Sequence, residues 1–181
     1  VESSSEFDAV LASAGVVSTG DFDRDWSQVQ DAYRSALAKR IGAAAEGKSH
    51  VVLLIHGFNT DSREASTWYA EVEEDLARYA SAHGGDVAFV RMYWDGLSGN
   101  PVAIWTMAQA NGPLVGHELR RLLNNLDGDL PLRVFTHSSG AFVLTNALGD
   151  GSSAFPKMGD TNKRRAAGGI HRCAGRAHRA A

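Results

Sequence analysis

The stretch Leu132-Arg133-Val134-Phe135-Thr136-His137-Ser138-Ser139-Gly140-Ala141-Phe142-Val143-Leu144-Thr145-Asn146-Ala147-Leu148 decides the fold. Leu132 to Thr136 is a short, mostly apolar and β-branched run that predicts a strand, and Ala141 to Leu148 predicts a helix. Only four residues separate the two. The junction is therefore a sharp strand-to-helix turn, which lifts Ser138 above the sheet and points the following N–H groups at the helix N-terminus. Such a turn crowds the positions two before and two after the serine. Gly140 meets that demand fully, whereas Thr136 stands where a glycine would leave more room. The plainer alternative is that Ser138 or Ser139 merely caps the helix, since serine is among the best N-caps.

Working outward, the same grammar occurs twice upstream. Val51 to Ile55 is an unbroken apolar run ended by Gly57, read as a strand buried on both faces. A helix begins at Asp61, with Glu64 three residues on and a stripe of Ala65, Trp68, Tyr69, Val72, Leu76 and Ala80, until Gly84-Gly85 stops it. Val87 to Trp94 is a second strand, followed by a loop through Gly96, Gly99 and Asn100 and a helix opening at Pro101. Gly112-Pro113 predicts a break there, with a second segment carrying Leu114, Val115, Leu119, Leu122, Leu123 and Leu126, hence a kinked or paired helix. Before the first strand, Trp26, Val29, Tyr33, Leu37 and Ile41 mark a helix with Asp25 and Gln28 as a capping box. Residues 1–20 read as a loose leader with a short helix at Phe7 to Ala14, 21–150 as the core, and 151–181 as a basic, disordered tail.

Three strand-loop-helix units in succession predict an α/β fold, an open and mostly parallel sheet with right-handed crossovers and helices on both faces. Chemistry in such sheets gathers outside the carboxyl ends of the strands. His56-Gly57-Phe58-Asn59, Trp94-Asp95-Gly96 and His137-Ser138-Ser139-Gly140 should therefore converge.

Composition fits one domain with a real core: 181 residues, 44% apolar and 22% charged. The net charge of -3 conceals an asymmetry. The last 25 residues hold seven Lys/Arg and one acid, which leaves 11 basic and 20 acidic residues before them, so the body is -9 and the tail +6. The tail reads as solvated sequence rather than a nucleic-acid or lipid-binding arm, and the acidic body argues against a nucleic-acid-binding core. Cys173 is the only cysteine, which excludes an internal disulfide framework and a thiolate zinc cluster. No apolar stretch reaches the ~18 residues that a membrane span needs. A soluble, cytoplasmic protein is expected, with secretion before processing left open. No metal-ligand spacing, dinucleotide Gly-x-Gly-x-x-Gly or phosphate-loop pattern occurs, so no cofactor or metal is expected.

Around the serine, the N–H of Phe58 could join that of Ser139 to form an oxyanion hole, with Gly57 allowing close backbone approach. His56 reads as a brace for its loop in preference to a general base. His137 points to the opposite side of its strand from Ser138 and is read as structural. Asp95 could bring a carboxylate near the serine, but a Trp-Asp-Gly sequence is more often a turn. His83 and His117 fall on helix segments or their ends and read as surface residues. Trp94, Trp105 and Met107 could line an apolar pocket, with core packing the favoured reading.

Val51 to Asn59 and Leu132 to Leu148 together resemble bacterial α/β hydrolases of poorly defined function, whose motifs run His-Gly-Phe-Asn and then x-His-Ser-x-Gly. The resemblance covers roughly Lys48 to Leu148. It implies that Ser138 is a nucleophile, that Ser139 and Phe58 supply the oxyanion N–H groups, and that the three strands match the third, fourth and fifth of the superfamily sheet. The implied reaction is hydrolysis of an ester, thioester or amide through an acyl-enzyme, with a small-molecule or lipid-like ester as substrate and neither nucleic acid nor a membrane span involved. In that family the triad acid and then the triad His arrive on later strands. Here the chain offers Asp150 and Asp160, then His171 and His178, in a stretch too poor in apolar residues to fix a catalytic His. The expectation is a C-terminally incomplete α/β-hydrolase fold whose Arg/Ala/Gly-rich end resembles out-of-frame translation of GC-rich DNA. The alternative is a catalytically inactive or truncated remnant of the scaffold, acting, if at all, as an interaction protein.

Overall fold

Val51 to Ile55 carries no charge and presents apolar side chains on both alternating faces, so it is stable only at the centre of a sheet with a layer on each side. A computed structural model, describing residues 3–95 and 100–149 with the backbone alone over 3–5 and 101–106, places it there. Strand β1 (His50–Ile55) lies between β2 (Val87–Met92) and β3 (Leu132–Thr136), and both pair with it in parallel, in the order β2-β1-β3. The register sets Ile55 opposite Met92 on one side and Thr136 on the other. The described residues contain five helices: α1 (Ser3–Ala14), α2 (Phe22–Ala45), α3 (Ser62–Ala82), α4 (Pro101–Leu123) and α5 (Gly140–Leu148). The result is an open, all-parallel α/β arrangement.

Strand alternation divides the core in two. Val51, Leu53 and Ile55 face Ile41 and Ala45 of α2, Leu119 of α4, and Val143 and Ala147 of α5, while Val52 and Leu54 face Ala65 and Tyr69 of α3. Helix α3 starts where its capping residues dictate: the Asp61 carboxylate accepts the N–H groups of Arg63 and Glu64 at 2.8 Å each, and Glu64 accepts the Asp61 N–H at 3.2 Å.

Four expectations need correction. Helix α2 starts at Phe22, capped by Asp21, whose carboxylate accepts the Arg24 N–H at 3.1 Å. Asp25 therefore lies inside the helix, buried, accepting bonds from the Thr19 hydroxyl (2.6 Å) and N–H (3.0 Å) and the Ser18 hydroxyl (2.9 Å). The Thr19 hydroxyl above all holds its carboxyl below the ordinary value. Along α2, Val29 and Ile41 are buried, but Trp26, Tyr33 and Leu37 are exposed. The N-terminal stretch is helical from Ser3, well beyond the expected Phe7 to Ala14, and Phe7 packs on Phe22 and Trp26 at ring-centroid distances of 4.7 and 6.4 Å.

The expected break at Gly112-Pro113 does not occur, because α4 runs unbroken through Pro113. Close packing against α5 accounts for it. A Cβ on Gly112 would stand 2.6 Å from the Phe142 ring, and one on Gly116 would stand 2.7 Å from Asn146 Cβ and the Val143 carbonyl. Arg120 of α4 also donates to the carbonyls of Ala147 (2.6 Å) and Asn146 (2.8 Å), closing the C-terminal end of α5. This tertiary contact outweighs the ~3 kcal/mol that an interior proline costs. It also anchors the helix that follows Ser138.

Candidate functional site

The chain leaves β1 toward β2 and then returns across β1 to reach β3, so the direction of winding reverses between β1 and β3. Parallel sheets open a crevice at such a reversal, outside the carboxyl ends of the two strands. The loop after β1 begins at His56 and the loop after β3 at His137, and the two loops touch. A Cβ on Gly57 would stand 3.0 Å from both Ser138 Cβ and His137 Nδ1. Glycine is what lets the backbone of one loop reach the serine of the other.

At the second junction Ser138 is exposed and held at φ +51°, a left-handed conformation that is uncommon for a residue other than glycine. The turn is closed by the Gly140 N–H to His137 O at 2.9 Å and the Ala141 N–H to Ser138 O at 3.0 Å. Gly140 is buried, and a Cβ there would come within 2.5 Å of Ile55 O and 2.8 Å of His56 O. Half-buried Thr136 is accommodated as the last residue of β3. Ser139 takes the N-cap position of α5, but in helical conformation (φ -65°, ψ -10°) and with no capping bond from its side chain. A capping serine ordinarily sits in the β region and accepts an N–H, so neither Ser138 nor Ser139 behaves as a cap.

At the first junction His56 is only 3% exposed and lies stacked on Trp94 at 5.7 Å. Its Nε2 accepts the Trp94 backbone N–H at 3.2 Å, which assigns the proton to Nδ1, 2.8 Å from Gly57 O. Both ring nitrogens are thus engaged within the fold. Burial is the main cause that pushes the imidazole below its ordinary pKa. The Phe58 side chain packs against the cluster of Leu53, Ile55, Trp94 and Val143, anchoring the loop, and Asn59 follows at φ +56°. His137 is exposed, with its ring 5.5 Å from Trp68 of α3.

Trp94 belongs to the core, whereas Met107 is exposed and the Trp105 side chain is outside the described residues. Asp95 is exposed three residues beyond the end of β2, its carbonyl accepting the Asn111 amide at 3.3 Å. His83 caps the C-terminus of α3, with Nδ1 2.8 Å from Tyr79 O. His117 is not a simple surface residue. Its Nε2 is buried without a hydrogen-bond partner among the described residues, and burial lowers its pKa. Asp150, Asp160, His171, Cys173 and His178, with the whole of 151–181, lie outside the described residues. So do Gly96 and Gly99.

Tyr69 is the residue that sequence reasoning passed over. It was legible only as part of an apolar stripe, yet its hydroxyl accepts the His56 backbone N–H at 3.0 Å and donates to the Met92 carbonyl. Burial pushes its phenol up to about 12. Nothing in a stripe of period 3.6 distinguishes a tyrosine that packs from one whose oxygen is placed.

No family model, curated protein or solved structure matches the chain. Among the described residues no helix is long and apolar enough to cross a membrane, and no group of three or more His, Cys, Asp or Glu side chains could hold a metal ion.

Proposed function

We propose that the chain is a serine hydrolase of the α/β-hydrolase type, with Ser138 as its nucleophile and β2, β1 and β3 as the fourth, third and fifth strands of that sheet. One observation carries the reading. An exposed serine stands at φ +51° between a parallel strand and a helix, its turn packed so closely on the end of β1 that only glycine fits at 140. Backbone strain at an exposed polar residue is what a strand-to-helix nucleophile turn requires, and a structural serine gains nothing from it.

In this reading Ser138 Oγ attacks the carbonyl carbon of an ester, thioester or amide. The Oγ–C bond forms, the bond to the leaving group breaks, and the serine proton passes through a base to that group. Water then cleaves the acyl-enzyme and restores the hydroxyl. The Ser139 N–H lies at the N-terminus of α5, where backbone amides have no partners inside the helix, and with the Phe58 N–H it would stabilise the oxyanion. His56 is committed to Trp94 and Gly57, so the proton goes to another base. The resemblance offers His171 or His178 for that role, with Asp160 as the acid.

A fluorophosphonate probe tests the reading, because it forms an Oγ–P bond with release of fluoride at an activated serine. Mass spectrometry should find the adduct on the peptide containing Ser138, at a rate at least 100-fold above that of Ser138→Ala, in line with the 10²-fold or greater effects of catalytic groups. Equal labelling of the two proteins would leave a noncatalytic scaffold.

A further inference from the structure

We infer that Tyr69 is a positioning residue for the Gly57-Phe58 loop, its hydroxyl replacing a rung of the backbone ladder between β1 and β2. The inference deepens the proposed hydrolase reading and rests on it for its catalytic consequence. Its structural content stands on the ladder itself.

In a parallel pair every second residue of a strand bonds to the same neighbour. The β1–β2 ladder opens with the His50 N–H bonded to Asp86 O at 3.1 Å, so even-numbered residues of β1 face β2. Odd-numbered residues face β3, as the Val51 N–H to Pro131 O and the His137 N–H to Ile55 O show, both at 3.0 Å. Continuing the register places the next rungs of the β1–β2 ladder at His56 N–H to Met92 O and then at Trp94 N–H to His56 O. Side chains interrupt both. The Tyr69 hydroxyl stands between the first pair, accepting from His56 and donating to Met92. In the second pair the Trp94 N–H turns to the His56 ring at 3.2 Å, and His56 O accepts the Trp94 indole N–H at 2.8 Å instead.

Inserting an oxygen between a donor and its acceptor holds the strand ends apart without leaving either group unsatisfied. The backbone of β1 is then free to leave the sheet after Ile55 and bend toward β3, where Gly57 meets Ser138. Without that oxygen, His56 N–H and Met92 O either close into an ordinary rung, drawing the loop toward β2, or stay apart and unpaired. Both outcomes move the Phe58 N–H relative to Ser138. Tyr69 touches neither substrate nor serine in this account and acts through the His56 backbone.

The variant Tyr69→Phe removes only the oxygen. Saturation labelling by the fluorophosphonate should give a maximal rate constant reduced at least tenfold, with the half-saturating probe concentration within twofold of wild type. In parallel, hydrogen exchange should show the amides of His56 and Gly57 altered by at least tenfold, while the amides of α4 and α5 keep their protection. A variant with wild-type labelling kinetics and unchanged exchange at His56 and Gly57 would overturn the inference. If the wild type itself is not labelled, the hydrolase reading fails and exchange alone decides the role of Tyr69. Should Tyr69→Phe not fold, exchange in the wild type decides: the His56 amide, bonded to the Tyr69 hydroxyl, should exchange at least tenfold more slowly than its random-coil rate, and an unprotected His56 amide would also overturn the inference.

Discussion

The loops after β1 and β3 both open with a histidine and both contain a left-handed residue that is not glycine, Asn59 in one and Ser138 in the other. Their chemistry differs because their surroundings do. His56 is enclosed by α3, β2 and Trp94, with both nitrogens bonded, whereas His137 lies on the rim against one face of Trp68. Asparagine tolerates left-handed backbone better than serine does, so the first loop reaches its shape at less cost and the second holds its strain at an exposed serine. One junction is built to stay fixed. The other is fixed by what lies beneath it, the Gly140 contact with β1 and the α4–α5 packing.

The largest effect expected from this contrast concerns the two histidines. His56→Ala opens a cavity beside Trp94 and leaves the Trp94 N–H without its acceptor, and should cost roughly 3 kcal/mol of unfolding free energy. His137→Ala removes an exposed ring and should stay within about 0.5 kcal/mol. Urea denaturation of the two variants measures the difference. Equal losses would show that His137 is as structural as His56 and would erase the distinction between the junctions.

The next effect is a pH dependence. Burial lowers the His56 pKa in the folded state, so as pH falls below the unfolded value near 6.5 the unfolded chain takes up a proton that the folded chain resists. Stability from this group is full above about pH 6.5 and declines as pH falls toward the folded pKa, by at most about 1.4 kcal/mol per pH unit for one proton. His117 contributes with the same sign. The difference between wild type and His56→Gln in unfolding experiments from pH 7.5 to 5 isolates the His56 share, and identical slopes would mean that its ring is protonated without cost.

Much of this was readable along the chain. Val51 to Ile55 announces a strand because burial on both faces leaves no place for charge, Leu132 to Thr136 announces one as a short, largely apolar run too brief for a helix, and Asp61 with Glu64 announces α3 because both partners of the capping box are local. Whatever depended on distant partners was not readable. Asp25 looks like a helix cap until Ser18 and Thr19 fold back onto it. Gly112-Pro113 looks like a break until Phe142 fills the space that the glycine leaves. The turn at Ser138 could be placed from its flanking strand and helix, but the oxygen of Tyr69 between two strand ends has no signature in spacing or composition.

The smallest expected effect bears most directly on the nature of the Ser138 turn. Left-handed backbone costs an ordinary residue ~1–2 kcal/mol, and glycine escapes that cost while losing ~0.5–1 kcal/mol through the freedom of its unfolded chain. Ser138→Gly should therefore stabilise the protein, by roughly 0.5–1 kcal/mol, even as it deletes the hydroxyl and abolishes labelling. Asn59→Gly should change stability by less, because asparagine already tolerates that conformation. A gain at 138 joined to loss of reaction is the behaviour of a residue kept for chemistry against the preference of its backbone. A loss of stability there would instead mean that the serine side chain holds the turn together through its own bonds, and Ser138 would then be a structural residue of its junction, as His56 is of the junction after β1.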